Sequence, residues 1–200
     1  MPGRRVEASR HAGSRHARAG WRALPAGAAA AAPELRPWLS ARGSLSALLR
    51  AHGDALRVRR LRQRCARSDP TAAAPARATP RTWLREVVLE LDGRALVWAC
   101  SAAAPCCLRQ AWRGLRHIAG RPLGDWLFAC RDIRRGRLEV RRLARVHPLA
   151  RRTRRALRGR AAGAPLPTPL WARRSAFVRH GECLWVTEVF LPEVTRLRRR

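Results

Sequence analysis

At Asp92-Gly93 two long apolar segments, Trp83–Leu91 and Arg94–Ser101, meet at a two-residue turn. Asp-Gly between alternating apolar runs is a strong two-residue turn signal, so the flanking segments are expected to pair as an antiparallel hairpin. The rest of the fold must be built around that pair of strands. Leu170–Arg179 and Cys183–Leu191, joined through His180-Gly181-Glu182, repeat the pattern near the end of the chain. Leu56 and Val58 open an Arg-studded strand, and Arg137–Val146 reads as another.

Helices are expected between these strands. Ser44 is placed to cap a helix carrying Leu45, Leu48, Leu49 and His52 on one face, closed by Gly53. Cys106–Ile118 reads as a helix with Leu108, Ala111, Trp112, Leu115 and Ile118 on one face, and Pro122-Leu123-Gly124 opens a shorter one carrying Trp126, Leu127 and Phe128. Arg67–Pro80 reads as a linker, and His147–Pro169 as a loop or flap with some helix. Hairpins and clustered helices together predict an α+β fold, a single domain on an antiparallel sheet. Residues 1–33 mix Arg, Ala, Gly and His without period and are expected to be a disordered extension whose removal leaves folding unchanged; 34–194 is the domain and 195–200 a basic tail.

Alternation along the strands exposes two anomalies. One face of Trp83–Leu91 reads Trp83, Arg85, Val87, Leu89, Leu91, and one face of Leu184–Phe190 reads Leu184, Val186, Glu188, Phe190. Each is apolar but for one charge, and a buried charge is costly unless it is paired or used. Pairing of Arg85 with Glu188, or of each with neighbours, accounts for the pattern; so does a ligand whose carboxylate meets an arginine fork. Glu86 and Glu90, on the opposite face with Leu84 and Val88, read as solvated or paired surface charges.

Trp83-Leu84-Arg85-Glu86, Pro122-Leu123-Gly124 with Leu127-Phe128, Leu170-Trp171-Ala172-Arg173-Arg174-Ser175 and Glu188-Val189-Phe190-Leu191-Pro192 follow one another as they do in chorismate pyruvate-lyases. The chain resembles that family from about Pro33 to Val194. The resemblance implies about six antiparallel strands, helical flaps over a buried ligand, no metal and no organic cofactor. It implies elimination of pyruvate from chorismate to give 4-hydroxybenzoate at the entry to ubiquinone biosynthesis. Arg85 would grip the ring carboxylate, Glu188 would meet the ring oxygen at the far end, and Leu45 and Leu123 would contribute backbone. Arg85 and Glu188 are thus the expected catalytic pair. One departure stands out: where the family carries a second arginine before a proline, this chain has Cys100 or Ser101, leading to Pro105. Arg173 or Arg174 is a candidate replacement. The alternative is a non-catalytic protein of the same fold, sensor-like or decayed, that binds a small aromatic acid.

Composition narrows the remaining classes. All 43 basic residues are arginine, against 13 acidic ones, for a net charge of +30. Residues 131–160 hold thirteen arginines, yet arginine is spread through every segment and no nucleic-acid-binding module accompanies it. A solvated basic surface, with weak non-specific adhesion to anionic surfaces, is the expectation rather than specific nucleic-acid recognition. The six cysteines have no Cys-x-x-Cys spacing, so no zinc site is expected. No apolar run approaches the 18 or so residues of a membrane span, and a cytoplasmic monomer is expected.

Overall fold

The computed structural model describes residues 20–67, 81–158 and 166–198. It is an α+β fold around one antiparallel sheet. The strands are β1 (Arg22–Ala23), β2 (Leu56–Arg67), β3 (Arg81–Leu91), β4 (Arg94–Ala103), β5 (Arg134–Arg135), β6 (Glu139–Leu143), β7 (Leu170–Arg179) and β8 (Glu182–Phe190). They are ordered β1-β6-β7-β8-β4-β3-β2, with β5 pairing β7 off this path. Six are long, as expected, and two are strands of two residues. The α-helices are α1 (Arg36–Ser40), α2 (Leu45–Arg50), α3 (Leu123–Ala129) and α4 (Pro148–Ala156).

Both hairpins form at the foreseen turns. Asp92 and Gly93 take φ of 50° and 78°, and His180 and Gly181 take 46° and 77°. The Asp92 carboxylate also accepts from the amides of Asp54 (3.2 Å) and Ala55 (2.8 Å), tying the start of β2 to the turn. Ser44 caps α2 by accepting from the Ala47 amide at 3.3 Å.

The sheet is covered on both faces. The face bearing Trp83, Arg85, Val87, Leu89 and Leu91 packs two apolar clusters. One joins Leu89, Leu91, Val97 and Phe190 to Trp38, Leu39 and Leu49; the other joins Trp83, Ala103, Phe177 and Leu184 to Leu108, Trp112, Leu115 and Leu127. The opposite face, with Val88, Trp98, Ala172 and Val189, packs beneath Leu149 and Ala150 of α4.

Four expectations are corrected. Residues 20–33 belong to the domain: β1 pairs β6, Ala28 and Ala31 lie in the core, and Trp21 stacks on Arg174 at 4.3 Å. The segment is packed by close approach rather than by bulk, since a Cβ on Gly27 would fall 2.5 Å from Val140 Cγ2, and so it carries no hydrophobic period. At the other end the domain extends past Val194, for a 3₁₀ turn covers Pro192–Arg196 and Leu197 packs on the core. Cys106–Ile118 is not one α-helix but two 3₁₀ segments, Pro105–Arg109 and Arg113–His117. Its expected face is buried all the same, because spacings of three serve a 3₁₀ turn as well as an α-helix. Glu86 is buried rather than solvated, with Arg62 and Arg152 each at 3.7 Å, because α4 covers its face. Glu90 is paired with Arg59 at 2.7 Å. The linker predicted over Arg67–Pro80 lies outside the described residues beyond Arg67, as do 159–165 of the predicted flap and residues 1–19 and 199–200 of the two termini.

Candidate active site

Four strands adjacent in the sheet, β7-β8-β4-β3, bring the anomalous charges onto one face. In the register Arg85 lies opposite Ser101, Ser101 opposite Val186, and Val186 opposite Ser175. The next row on that face reads Val87, Ala99, Glu188, Arg173. These two rows run between the two apolar clusters. The seam between the clusters is a cavity with about 50 Å³ of room for the centre of a water molecule. Besides Ser46, its polar lining is Arg85, Ser101, Arg135, Arg173, Ser175 and Glu188. Its lid is α2 and α3, through Leu45, Ser46, Leu123, Leu127 and Phe128. Across the outside of the lid, Arg50 of α2 pairs with Asp125 of α3 at 2.6 Å.

Arg85 and Glu188 do not pair with each other. Arg85, 1 % exposed, donates from Nη2 to the carbonyls of Ala119 (2.9 Å) and Arg121 (3.1 Å), while its Nε is buried without a partner. Among the described residues no carboxylate meets it. Burial, aided by the nearby Arg60 charge, pushes its pKa down to about 10. A cation so placed is under-compensated, and an anion entering the cavity would supply what it lacks.

Glu188 is paired with Arg173, directly opposite on β7, through a short contact from the guanidinium Nε. Arg173, also 1 % exposed, donates in addition to the carbonyls of Trp38 (2.8 Å) and Ala41 (2.9 Å) and lies over the Phe190 ring at 5.5 Å. Its Nε thus holds Glu188 and its Nη1 the chain that leads into α2.

The pleat sends Cys100 and Ser101 to opposite faces of the sheet. Ser101 lines the cavity; Cys100 faces the other side of the sheet, where burial, with Glu86 nearby, pushes its thiol up to about 12. Of the two, the side chain that lines the cavity is thus a short hydroxyl. Arg174 is equally on the wrong face, paired with Glu139 at 2.8 Å and stacked between Trp21 and Trp185. It does not line the cavity.

Arg135 was not foreseen. It sits on β5, donates from Nε to Ser175 Oγ (2.8 Å) and from Nη1 to the Arg42 carbonyl (2.7 Å), and lies 5.6 and 5.5 Å from the ring centres of Phe128 and Phe177. Burial first, then the neighbouring Arg173, push its pKa down to about 10, with Glu188 opposing. A two-residue strand has no alternation to read, and Arg135 is one of thirteen arginines in thirty residues, so nothing in the sequence singled it out. Among the described residues no group of three or more His, Cys, Asp or Glu side chains is arranged to hold a metal ion, and no helix is long and apolar enough to cross a membrane.

The family described as chorismate lyase matches residues 16–199. A protein of Azoarcus sp. (strain BH72) named "Probable chorismate pyruvate-lyase" is 42 % identical over 166 residues, covering 82 % of this chain and 86 % of that protein. One of Dechloromonas aromatica (strain RCB) with the same name is 37 % identical over 182 residues, covering 90 % and 99 %. Among solved structures, the effector domain of PhnF from Mycobacterium smegmatis superposes with a TM-score of 0.52 at 16 % identity, over 76 % of this chain and 90 % of that one. At that identity the likeness concerns the fold alone.

Proposed function

The chain belongs to the chorismate lyase family, and from that premise we propose that it eliminates pyruvate from chorismate to give 4-hydroxybenzoate, as the first committed step of ubiquinone biosynthesis. The observation that carries the reading is Arg85, a buried cation with an unpartnered Nε in the wall of a cavity whose other end holds Glu188. An arginine fork takes a planar carboxylate with two parallel hydrogen bonds, and a carboxylate accepts from a hydroxyl. A six-membered ring carrying a carboxylate at C1 and a hydroxyl at C4 presents those groups at opposite ends.

In this reading Arg85 holds the ring carboxylate and Glu188 the 4-oxygen. Leu45 and Leu123, in the first turns of α2 and α3 where amides lack intrahelical partners, offer main chain and an apolar wall. The reaction breaks the C3–O ether bond, whose electron pair leaves with the enolpyruvyl group. The C4 hydrogen is lost as the ring becomes aromatic, and gain of one hydrogen at the enolpyruvyl methylene gives pyruvate. Aromatisation supplies the driving force, so the protein's task is to hold the C3–C4 edge in a reactive conformer and to exclude water. The lid of Leu45, Leu123, Leu127 and Phe128 serves the second part. Arg173 fixes the Glu188 carboxylate in place from across the strand pair.

Purified protein incubated with chorismate, with no metal or cofactor added, is expected to release 4-hydroxybenzoate at a catalytic rate, followed by its ultraviolet absorbance. Absence of product together with calorimetric binding of 4-hydroxybenzoate would overturn the lyase reading in favour of a binding protein. The lack of an arginine at Cys100 or Ser101, with only the short Ser101 lining the cavity, is the observation that favours that second reading.

A further inference from the structure

Chorismate carries two carboxylates, and where the resemblance leads one to expect an arginine for the second, this chain has Cys100 or Ser101, of which the one lining the cavity, Ser101, has no charge to offer. We propose that Arg135 binds the carboxylate of the enolpyruvyl side chain, a role that rests on the lyase reading above. Three features of the site support this assignment.

The first is place. Arg135 donates to Ser175 on β7, the strand beside the β8 that carries Glu188, whereas Arg85 projects from β3, two strands beyond β8. It therefore belongs to the Glu188 end of the cavity. The enolpyruvyl ether is borne on C3, next to the C4 oxygen, so with the ring carboxylate on Arg85 the side chain extends toward that same end. The second is availability. Arg173 already holds Glu188 and two carbonyls. Arg135 spends Nε on Ser175 and Nη1 on the Arg42 carbonyl, but unlike Arg173 it is paired with no carboxylate among the described residues. The third is rigidity. Packing on Phe128 and Phe177 and the Ser175 bond hold the guanidinium in one orientation, so little freedom is lost when an anion docks.

The product carries only the ring carboxylate, so the two ligands separate this role from a structural one. Arg135→Ala and Arg135→Gln, the latter a shorter, uncharged side chain that keeps an N–H donor, are compared with the wild type for KM and kcat on chorismate and for the Kd of 4-hydroxybenzoate by calorimetry. Loss of one charge-assisted contact predicts a fall in kcat/KM of about tenfold to a hundredfold, with product affinity within about threefold of the wild type. Adding Ser101→Arg to Arg135→Gln, which returns a guanidinium to the cavity from β4, is expected to recover at least about tenfold of the loss. Equal losses for chorismate and 4-hydroxybenzoate would make Arg135 structural and overturn the proposal, as would unchanged kinetics. Should the wild type bind chorismate without turning it over, the lyase reading fails; the proposal is then read from chorismate Kd alone and stands only if Arg135→Gln weakens chorismate selectively.

Discussion

Arg85 is the residue on which stability and binding pull in opposite directions. Its folded pKa, lowered to about 10 from 12.5, means that the folded protein holds its proton less tightly than the unfolded chain does. Stability from this group therefore rises with pH only above about 10, and throughout the neutral range the desolvated cation is a burden. Its bonds to the Ala119 and Arg121 carbonyls offset part of that cost. Arg85→Met removes both contributions at once, so the ligand-free variant is expected to melt within about 3 °C of the wild type while losing 4-hydroxybenzoate binding by about a hundredfold or more. Differential scanning calorimetry and titration calorimetry on the same sample read both. A large fall in melting temperature would assign Arg85 to the scaffold instead. Both anomalous charges were visible in the sequence because strand alternation made them conspicuous among apolar neighbours. Whether they pair with each other was not visible, because that depends on which strand lies beside β8: the sheet sets Arg173 against Glu188 and leaves Arg85 two strands away.

The elements divide by how local their causes are. The two hairpins and the Ser44 cap were legible because a turn or a cap is decided by adjacent residues. The stretch after β4 was legible as a buried face but not as a helix type, since the same spacing suits 3₁₀ and α geometry. α4 holds a cap with no carboxylate or hydroxyl: His147 Nδ1 accepts from the Leu149 amide at 3.2 Å, which only the neutral imidazole can do. Burial first, then the Arg141 charge, lower the His147 pKa to about 4 from 6.5. The unfolded chain thus takes up this proton before the folded one does, so the stability it contributes is complete above pH 6.5 and is lost as pH falls toward 4. His147→Asn, whose side-chain oxygen caps without titrating, is expected to flatten the melting temperature across that interval relative to the wild type. Equal slopes in thermal melts of the two proteins would show that the cap is not the acid-sensitive point.

At the scale of the whole molecule, the N-terminal segment shows the limit of periodicity. Residues 20–33 hold mostly Ala, Gly and Pro, and they pack because they are small, so no apolar stripe announces them. Deleting residues 1–32 removes β1, the buried Ala28 and Ala31 and the Trp21–Arg174 stack, and is expected to lower the melting temperature by about 5 °C or more. An unchanged melt would return the segment to the status of an extension. The sequence by itself determined the α+β class, the two hairpins, and the apolar faces interrupted by Arg85 and Glu188, since turns and alternation are properties of neighbouring residues. Only the tertiary structure decided that Ser101 rather than Cys100 lines the cavity, that Arg173 serves Glu188, that Arg174 points away, and that Arg135 enters from a strand of two residues. Those outcomes depend on register and on strand order, which are set by contacts between segments far apart in the chain.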